Sequence, residues 1–146
     1  MSYRLPRYRV FLVREGSCEV DQNTIRTPED VFAIMGPEYE TAAVETAMML
    51  ALDTKNKVIG VFTISTGSLN ASIICTRDVF QRAILVNAAS VILVHNHPSG
   101  DPTPSPEDVA LTKKLVEAGR VMDITVLDHV IVGEGRFVSL RERGQL

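Results

Sequence analysis

Two spacings of hydrophobic and polar residues predict the elements of this chain. Short apolar runs rich in β-branched residues predict strands, whereas apolar residues three or four positions apart predict helices. Turn residues 53–56 separate two of the apolar runs and predict a hairpin. Residues 67–75 fit either a loop or a strand. The predicted strands are residues 8–14, the two hairpin runs TAMMLALD and KVIGVFTIS, and residues 90–94, 124–132 and 136–140.

Helices are predicted at three places, each behind a residue that can cap an N-terminus. Thr27 followed by Pro28 is typical of a helix start, because a threonine hydroxyl caps and proline fits the first turn. Helices and hairpin-linked strands together indicate an α/β fold, and no repeat or long linker divides the chain. The first helix is predicted to run from the cap Thr27 to a stop at Gly36-Pro37, the second from the cap Thr76 to about Asn87, and the third from the cap Ser105 to Gly119.

Composition and charge narrow the class of protein. A chain of 146 residues with 45% hydrophobic and 23% charged residues fits one ordinary globular domain. Its formal net charge of -3 is unlike the strongly basic footprint of a protein whose main partner is nucleic acid. Arginines near the start are a local exception, and they indicate either a solvated strand edge or a phosphate-contacting arm. These are Arg4, Arg7, Arg9 and Arg14.

Cysteine usage and hydropathy bear on the compartment. Cys18 and Cys75 are far apart and lack metal-finger spacing, which favours free thiols in a reducing compartment. The longest apolar run, residues 47–52, is far too short to cross a bilayer, and the start lacks a signal-peptide core. We therefore expect a cytoplasmic protein with no membrane partner. No pattern in the chain predicts an oligomeric state.

The most informative segment is residues 91–108, VILVHNHPSGDPTPSPED. Because side chains along a strand alternate faces, His95 and His97 point the same way while Asn96 points away. Asp108 follows in the first turn of a capped helix. Two imidazoles and a carboxylate suit zinc, and three protein ligands leave the fourth position open, as in catalytic zinc sites.

Two alternatives to a zinc site exist for this segment. The first is that residues 105–108 only cap a helix; residues 27–30 repeat that cap chemistry with no His-x-His before them, so a cap alone is uninformative. The second is the nuclease motif named for His-Asn-His, but that family disperses the three residues over a ββα unit. The histidine pair joined by a Pro-rich loop to the capped helix favours a metal site.

The pattern His-x-His-Pro, six residues, then Ser-x-x-Asp resembles the JAMM signature of JAB/MPN metalloproteins. The runs HNHPSGDPTPS, LVEAG and LDHVIVG are similar to the RadC branch of that family, and the resemblance covers roughly residues 45–146. It implies a cytidine-deaminase-like three-layer α/β sandwich, with a mixed central sheet flanked by helices. It also implies one Zn²⁺ bound by His95, His97 and Asp108.

We predict a single RadC-like JAB/MPN domain over residues 1–146, in which residues 1–26 form an N-terminal strand and extension. Many RadC-type proteins carry an N-terminal helix-hairpin-helix region. We do not expect that region within this sequence, so a DNA-binding role attributed to it is not carried over.

The family also uses a glutamate upstream of the histidines, and Glu45 matches it by position before the run TAMMLALD. Hydrolysis needs a group that takes a proton from water and returns it to the leaving amine, and a carboxylate can do both. Glu40 is an alternative, and a third possibility is that no glutamate here is catalytic. Ser105 is expected to cap the helix and, by the resemblance, to steady either a developing oxyanion or the metal-bound water.

Three further polar residues receive milder expectations. His129 follows an apolar pattern and is expected to be satisfied in the core or at its edge, with a supporting role behind the metal as an alternative. Ser99 and Asp101 are expected to shape the loop or meet substrate.

The predicted function is a zinc-dependent hydrolase of the metallopeptidase type, acting on an amide or isopeptide bond of a peptide or protein. The alternative is a non-hydrolytic zinc-containing interaction module associated with DNA repair or recombination. A metal-dependent nuclease is a third possibility, but such enzymes often use more carboxylates and two metals, and this chain shows one clear ligand set.

Overall fold

The elements form one mixed sheet with helices on both of its faces. The computed structural model describes residues 1–67 and 74–146. Within those ranges the sheet has the order β2-β1-β3-β4-β5; β3 and β4 are parallel, and the other neighbours are antiparallel. The elements in chain order are α1 (Pro28–Tyr39), β1 (Thr46–Leu52), β2 (Val58–Thr66), α2 (Thr76–Leu85), β3 (Ser90–Asn96), α3 (Pro106–Met122), β4 (Thr125–Val132) and β5 (Phe137–Ser139).

Two apolar cores lie on opposite faces of this sheet. Because side chains alternate along a strand, Met49 and Ala51 of β1 enter one core, and Leu50 and Leu52 enter the other. Helices α2 and α3 close the first core, and α1 closes the second. Strand β3 is therefore buried over its whole length. The predicted α/β class, with a mixed sheet between helical layers, is confirmed.

The predicted hairpin is also confirmed, since β1 and β2 pair antiparallel across the turn. Asp53 organises this turn by accepting hydrogen bonds from the backbone N–H groups of Lys55 and Lys57. Asn56 takes a left-handed φ of 60°, a conformation that asparagine tolerates better than most residues.

The predicted strand over residues 8–14 is wrong. Residues 1–20 are exposed and form neither helix nor strand. A strand is stabilised by hydrogen bonds to a neighbour, and none of the five strands in the described ranges pairs with this segment. Its apolar residues stay in solvent as a result, and Phe11 is 72% exposed. The bridge between Thr24 and Lys57 is the point at which the chain joins the sheet region.

Helix α1 continues past its predicted stop at Gly36-Pro37. Pro37 removes one intrahelical donor, but the last turn is held by Tyr39, which is buried against the sheet. The Tyr39 hydroxyl donates to the carbonyl of Val94 in β3 at 2.9 Å. Tertiary packing therefore overrides the local stop signal.

Helix α3 likewise continues past Gly119, to Met122, and ends with Asp123 in the left-handed region. Gly119 has a packing role instead, because a Cβ there would lie 2.4 Å from the carbonyl oxygen of Ile124. This glycine lets the helix approach the chain entering β4.

The start of α2 also differs from the prediction. Thr76 is the first helical residue and Cys75 occupies the N-cap position without a side-chain cap. The helix ends at Leu85, just before Asn87 turns left-handed with φ 54°. Most of the ambiguous segment 67–75 lies outside the described residues. Among the helices of the described chain, none is both long and apolar enough to cross a membrane.

Candidate metal centre

Segments distant in sequence meet where β3 ends. Because β1 runs antiparallel to β3, with Ala47 paired to His95, the residue just before β1 lies beside the histidines. That residue is Glu45. Helix α3 begins at the same edge, after the loop of residues 98–105, and brings Asp108 to the cluster.

The donor atoms of these residues converge closely. His95 Nε2 and His97 Nε2 are 3.0 Å apart. The two oxygens of Asp108 lie 3.3 Å from His95 Nε2 and 3.2 Å from His97 Nε2, and Glu45 Oε1 lies 3.5 Å from His95 Nε2. Donors about 2.0–2.1 Å from a tetrahedral zinc stand about 3.3 Å from one another, so the donor set fits such an ion.

The cluster thus includes a group that could hold a metal ion, made of Glu45, His95 and His97. The structure brings the predicted ligand Asp108 to the same point. It also places Glu45 there, whereas Glu40 is the C-cap of α1 and lines a neighbouring cleft. Of the two candidate glutamates, Glu45 is the one in contact with the imidazoles.

Asp108 is aimed at the histidines by the helix cap. Its Oδ2 accepts from the backbone N–H of Ser105 at 2.8 Å, and the Ser105 hydroxyl accepts from the backbone N–H of Asp108 at 3.1 Å. The predicted capping role of Ser105 is therefore confirmed. Burial alone would raise the pKa of the Asp108 carboxyl, but hydrogen bonds with His95 and His97 hold that pKa well below its usual range.

His97 is oriented by the loop that follows it. Its Nδ1 lies 2.9 Å from the carbonyl oxygen of Asp101, which can only accept, so Nδ1 carries the proton. In the neutral ring the Nε2 lone pair then faces the cluster. The hydrogen bond with Asp108 raises the pKa of His97 above its usual value. Asp101 also accepts from the backbone and hydroxyl of Thr103, and Ser99 accepts from the backbone of Asp101, so both shape the loop as predicted.

A chain of buried hydrogen bonds lies behind His95. His95 Nδ1 is 2.7 Å from His129 Nε2, and His129 Nδ1 is 2.6 Å from the hydroxyl of Thr112. That hydroxyl donates to the backbone carbonyl of Asp108 at 2.7 Å. Burial lowers the pKa of His129 well below its usual value, so its ring is neutral. The core location predicted for His129 is confirmed, but sequence reasoning missed Thr112 entirely.

Asn96 fastens the segment that carries Glu45. Its side-chain oxygen accepts from the backbone N–H of Thr46 at 2.7 Å, and its amide nitrogen donates to the carbonyl of Val44 at 3.1 Å. These two backbone groups flank Glu45 on either side. The sequence predicted only that Asn96 points away from the histidines. Its contact with the backbone on both sides of Glu45 was not predicted, because that contact depends on the pairing of β1 with β3.

A cleft of about 680 Å³ opens beside His97. Its walls are α1, the loop after β3 and the turn after β4. Its wall residues include the apolar Phe32 and Pro37, and the charged Glu40 and Glu134 stand at its sides. The cleft is partly open to solvent rather than an enclosed cavity.

An α/β layered fold with a His-x-His strand end facing a capped-helix aspartate defines the class of JAB/MPN-type domains. Comparison with protein families agrees, because residues 25–145 match the RadC-like JAB domain. This chain belongs to that family.

Curated relatives match most of this chain at about half identity. A UPF0758 protein of Roseiflexus castenholzii is 53% identical over 120 residues, which are 82% of this chain and 52% of the relative. A UPF0758 protein of Methanococcoides burtonii is 52% identical over 84% of this chain and 53% of the relative. A UPF0758 protein of Caldanaerobacter subterraneus is also 52% identical, over 88% of this chain and 55% of the relative. The chain therefore spans about half the length of these relatives.

Proposed function

We propose that this chain is a zinc-dependent hydrolase of the JAMM metallopeptidase type, acting on an amide or isopeptide bond. The observation that carries the proposal is that His97 Nε2, an Asp108 oxygen and a Glu45 oxygen all lie 3.0–3.5 Å from His95 Nε2. A merely structural cap would not need the second carboxylate. Three protein ligands, with the fourth position left to water and a carboxylate beside it, are the pattern of a catalytic rather than a structural zinc site.

The two carboxylates differ in a way that assigns their roles. The Asp108 side chain is 13% exposed and both its oxygens have partners, whereas that of Glu45 is 28% exposed. A ligand gains from being held rigidly, and a proton carrier must reach water and substrate. We therefore assign His95, His97 and Asp108 as ligands and Glu45 as general base and acid.

The chemistry follows from these roles. When bound, the ion supplies Lewis acidity, which lowers the pKa of water and polarises a carbonyl. Glu45 takes a proton from the attacking water and delivers it to the leaving amine. The Ser105 oxygen accepts from Asp108, so its own O–H is free to donate to the oxyanion that develops on the carbonyl.

The cleft beside His97 supports a peptide as substrate. An extended chain of several residues fits an open cleft better than a compact metabolite does, and the apolar wall at Phe32 offers side-chain contact. Glu40 and Glu134 favour a substrate that is not strongly acidic. This chain spans about half the length of its curated relatives. The proposal therefore concerns the activity of this domain, and the activity and partners of a full-length relative are proposed in the same sense only.

Zinc analysis combined with a matched pair of variants tests this proposal. The wild type is expected to bind about one zinc per chain and to cut members of a peptide and isopeptide library. Glu45→Gln should keep zinc and lose turnover, while Glu38→Gln, the same change at an exposed position of α1 outside the cleft lining, should keep both. Full turnover by Glu45→Gln would remove that residue from the mechanism.

One observation favours a second candidate, an interaction module without hydrolysis. Residues 1–20 are exposed, carry four arginines and lie outside the residues matched to the family. Such a segment could contact phosphates or a partner protein. Zinc binding with no cleavage of any library member, together with loss of partner capture in His97→Ala, would favour this candidate.

A further inference from the structure

The hydrogen bonds behind His95 form a series with a single possible direction. The series runs from the His95 ring to His129, then to Thr112, and ends on the backbone carbonyl of Asp108. All the groups lie in the interior, with His95 1% and His129 and Thr112 0% exposed. Water therefore does not compete for these bonds, and each buried polar atom needs the partner it has.

The direction follows from the last acceptor. A carbonyl only accepts, so the single hydroxyl proton of Thr112 is used on Asp108, and the Thr112 oxygen must accept from His129 Nδ1–H. A neutral His129 protonated on Nδ1 has a lone pair on Nε2. His95 must then donate from Nδ1, and in the neutral ring its Nε2 lone pair faces the cluster.

We propose that His129 and Thr112 are positioning residues that set the His95 ring in the tautomer and orientation needed for metal binding through Nε2. The proposal rests on the metal site proposed above, but the proton positions follow from the hydrogen bonds and from the burial that keeps His129 neutral. Because the series ends on the backbone of Asp108, it also couples the placement of one ligand to that of another. Groups that orient a metal-binding histidine in this way typically change metal affinity by about 10–100-fold when removed.

Thr112→Val is the most direct perturbation. Valine keeps the shape of threonine but leaves His129 Nδ1–H without an acceptor. The tautomer of His129 that carries its proton on Nε2 is then favoured, because that proton still has an acceptor in His95 Nδ1. His95 Nδ1 can accept only if the proton of the neutral His95 ring lies on Nε2, which removes the lone pair that would bind the metal. We expect zinc affinity, measured by competition with a chromophoric chelator, to fall by about 10–100-fold. Thr112→Ser restores the hydroxyl and should bind zinc nearly as tightly as the wild type.

Thr76→Val is the matched control. Its hydroxyl is buried but has no hydrogen-bond partner among the described residues, so the same change should leave zinc affinity unaltered. Thermal melting of each metal-free variant separates a folding defect from a defect in binding. Equal zinc affinity in Thr112→Val and the wild type would overturn the proposal.

Ring ¹⁵N NMR of the wild type provides a second test that needs no variant. We expect His95 and His129 both to carry a proton on Nδ1, with or without zinc. A proton on Nε2 of a neutral His129 would refute the direction of the series. If the wild type binds no zinc, the proposed function fails, and the NMR result still decides whether this series exists.

Discussion

Gly133 is the residue at which a single methyl group should disturb the metal centre without touching it. It follows β4 and faces the loop between His97 and Asp108. A Cβ at this position would lie 2.3 Å from the carbonyl oxygen of Gly100 and 2.7 Å from Cδ of Pro102. Ordinary contacts to carbon are about 3.5–4.0 Å, so the loop must move by about 1 Å. Both obstacles are backbone or ring atoms, and no rotamer change can relieve them.

The size of the effect follows from what this loop holds. Overpacking of this kind costs about 1–3 kcal/mol. For a chain of this size that corresponds to a fall in melting temperature of roughly 3–10 °C. The loop also supplies the Asp101 carbonyl, 2.9 Å from His97 Nδ1. Since a shift of about 1 Å breaks that hydrogen bond, zinc affinity should fall by about 10-fold or more.

Thermal melting and chelator competition on Gly133→Ala measure both effects. Gly16→Ala is the matched control, because a Cβ there meets nothing within 4 Å among the described residues and Gly16 lies in the exposed segment 1–20. The same added methyl group should therefore leave both the melting temperature and zinc affinity of the control at the wild-type values. A Gly133→Ala protein that melts and binds zinc like the wild type would refute the contact between this turn and the loop.

Two further outcomes are expected. Asn96→Ala releases the backbone on both sides of Glu45, so turnover should fall while chelator competition shows zinc affinity largely kept; equal loss of both would contradict this separation of roles. Hydrogen bonds from the backbone of Arg26, and then from Gln22, lower the pKa of Asp30. The stability that Asp30 adds is therefore full above its unfolded pKa of about 3.9 and is lost as pH falls through the lower folded value. In urea unfolding measured from acidic to neutral pH, the free energy of unfolding of Asp30→Asn should fall less toward low pH than that of the wild type. An equal fall in both proteins would contradict the predicted contribution of Asp30.

The fold class could be predicted from sequence because each buried element is indicated by more than one feature, such as an apolar run together with the turn residues that bound it. Strand β3 is a continuous apolar run, and the β1–β2 hairpin has a polar turn between two apolar runs. Such patterns depend on burial, which the structure satisfies. The segment 8–14 carries an equally good local pattern but has no neighbouring strand, and an apolar pattern alone does not supply a partner.

Helix ends were predicted less well for a related physical reason. Gly36-Pro37 and Gly119 are both ordinary stop signals. In the structure Tyr39 is anchored to Val94, and Gly119 permits contact with Ile124. In both places an interaction with a segment distant in sequence outweighs a local preference, of about 1 kcal/mol for a glycine and about 3 kcal/mol for a proline.

The partners of the candidate ligands could not be predicted, because they depend on the register of the sheet. His129 lies beside Leu93 in the parallel pairing of β3 and β4, and that register brings its ring to His95. A polar residue inside an apolar strand was the available signal, and it indicated a satisfied core histidine. Which groups satisfy it follows only from the packing of α3 on β4.

The two capping boxes of this chain show how the same local structure acquires different chemistry. Asp30 and Asp108 each accept from the backbone N–H of their N-cap residue, at 3.0 Å and 2.8 Å. Asp30 meets Gln22 and stays at the surface, whereas Asp108 meets two imidazoles. A capping box fixes the direction of its third residue at little cost, because the helix needs those hydrogen bonds anyway. At α3 the fixed side chain is Asp108, and its carboxylate points at the histidines at the end of β3. The helix start thus supplies an oriented carboxylate, and the sheet topology makes it a candidate ligand.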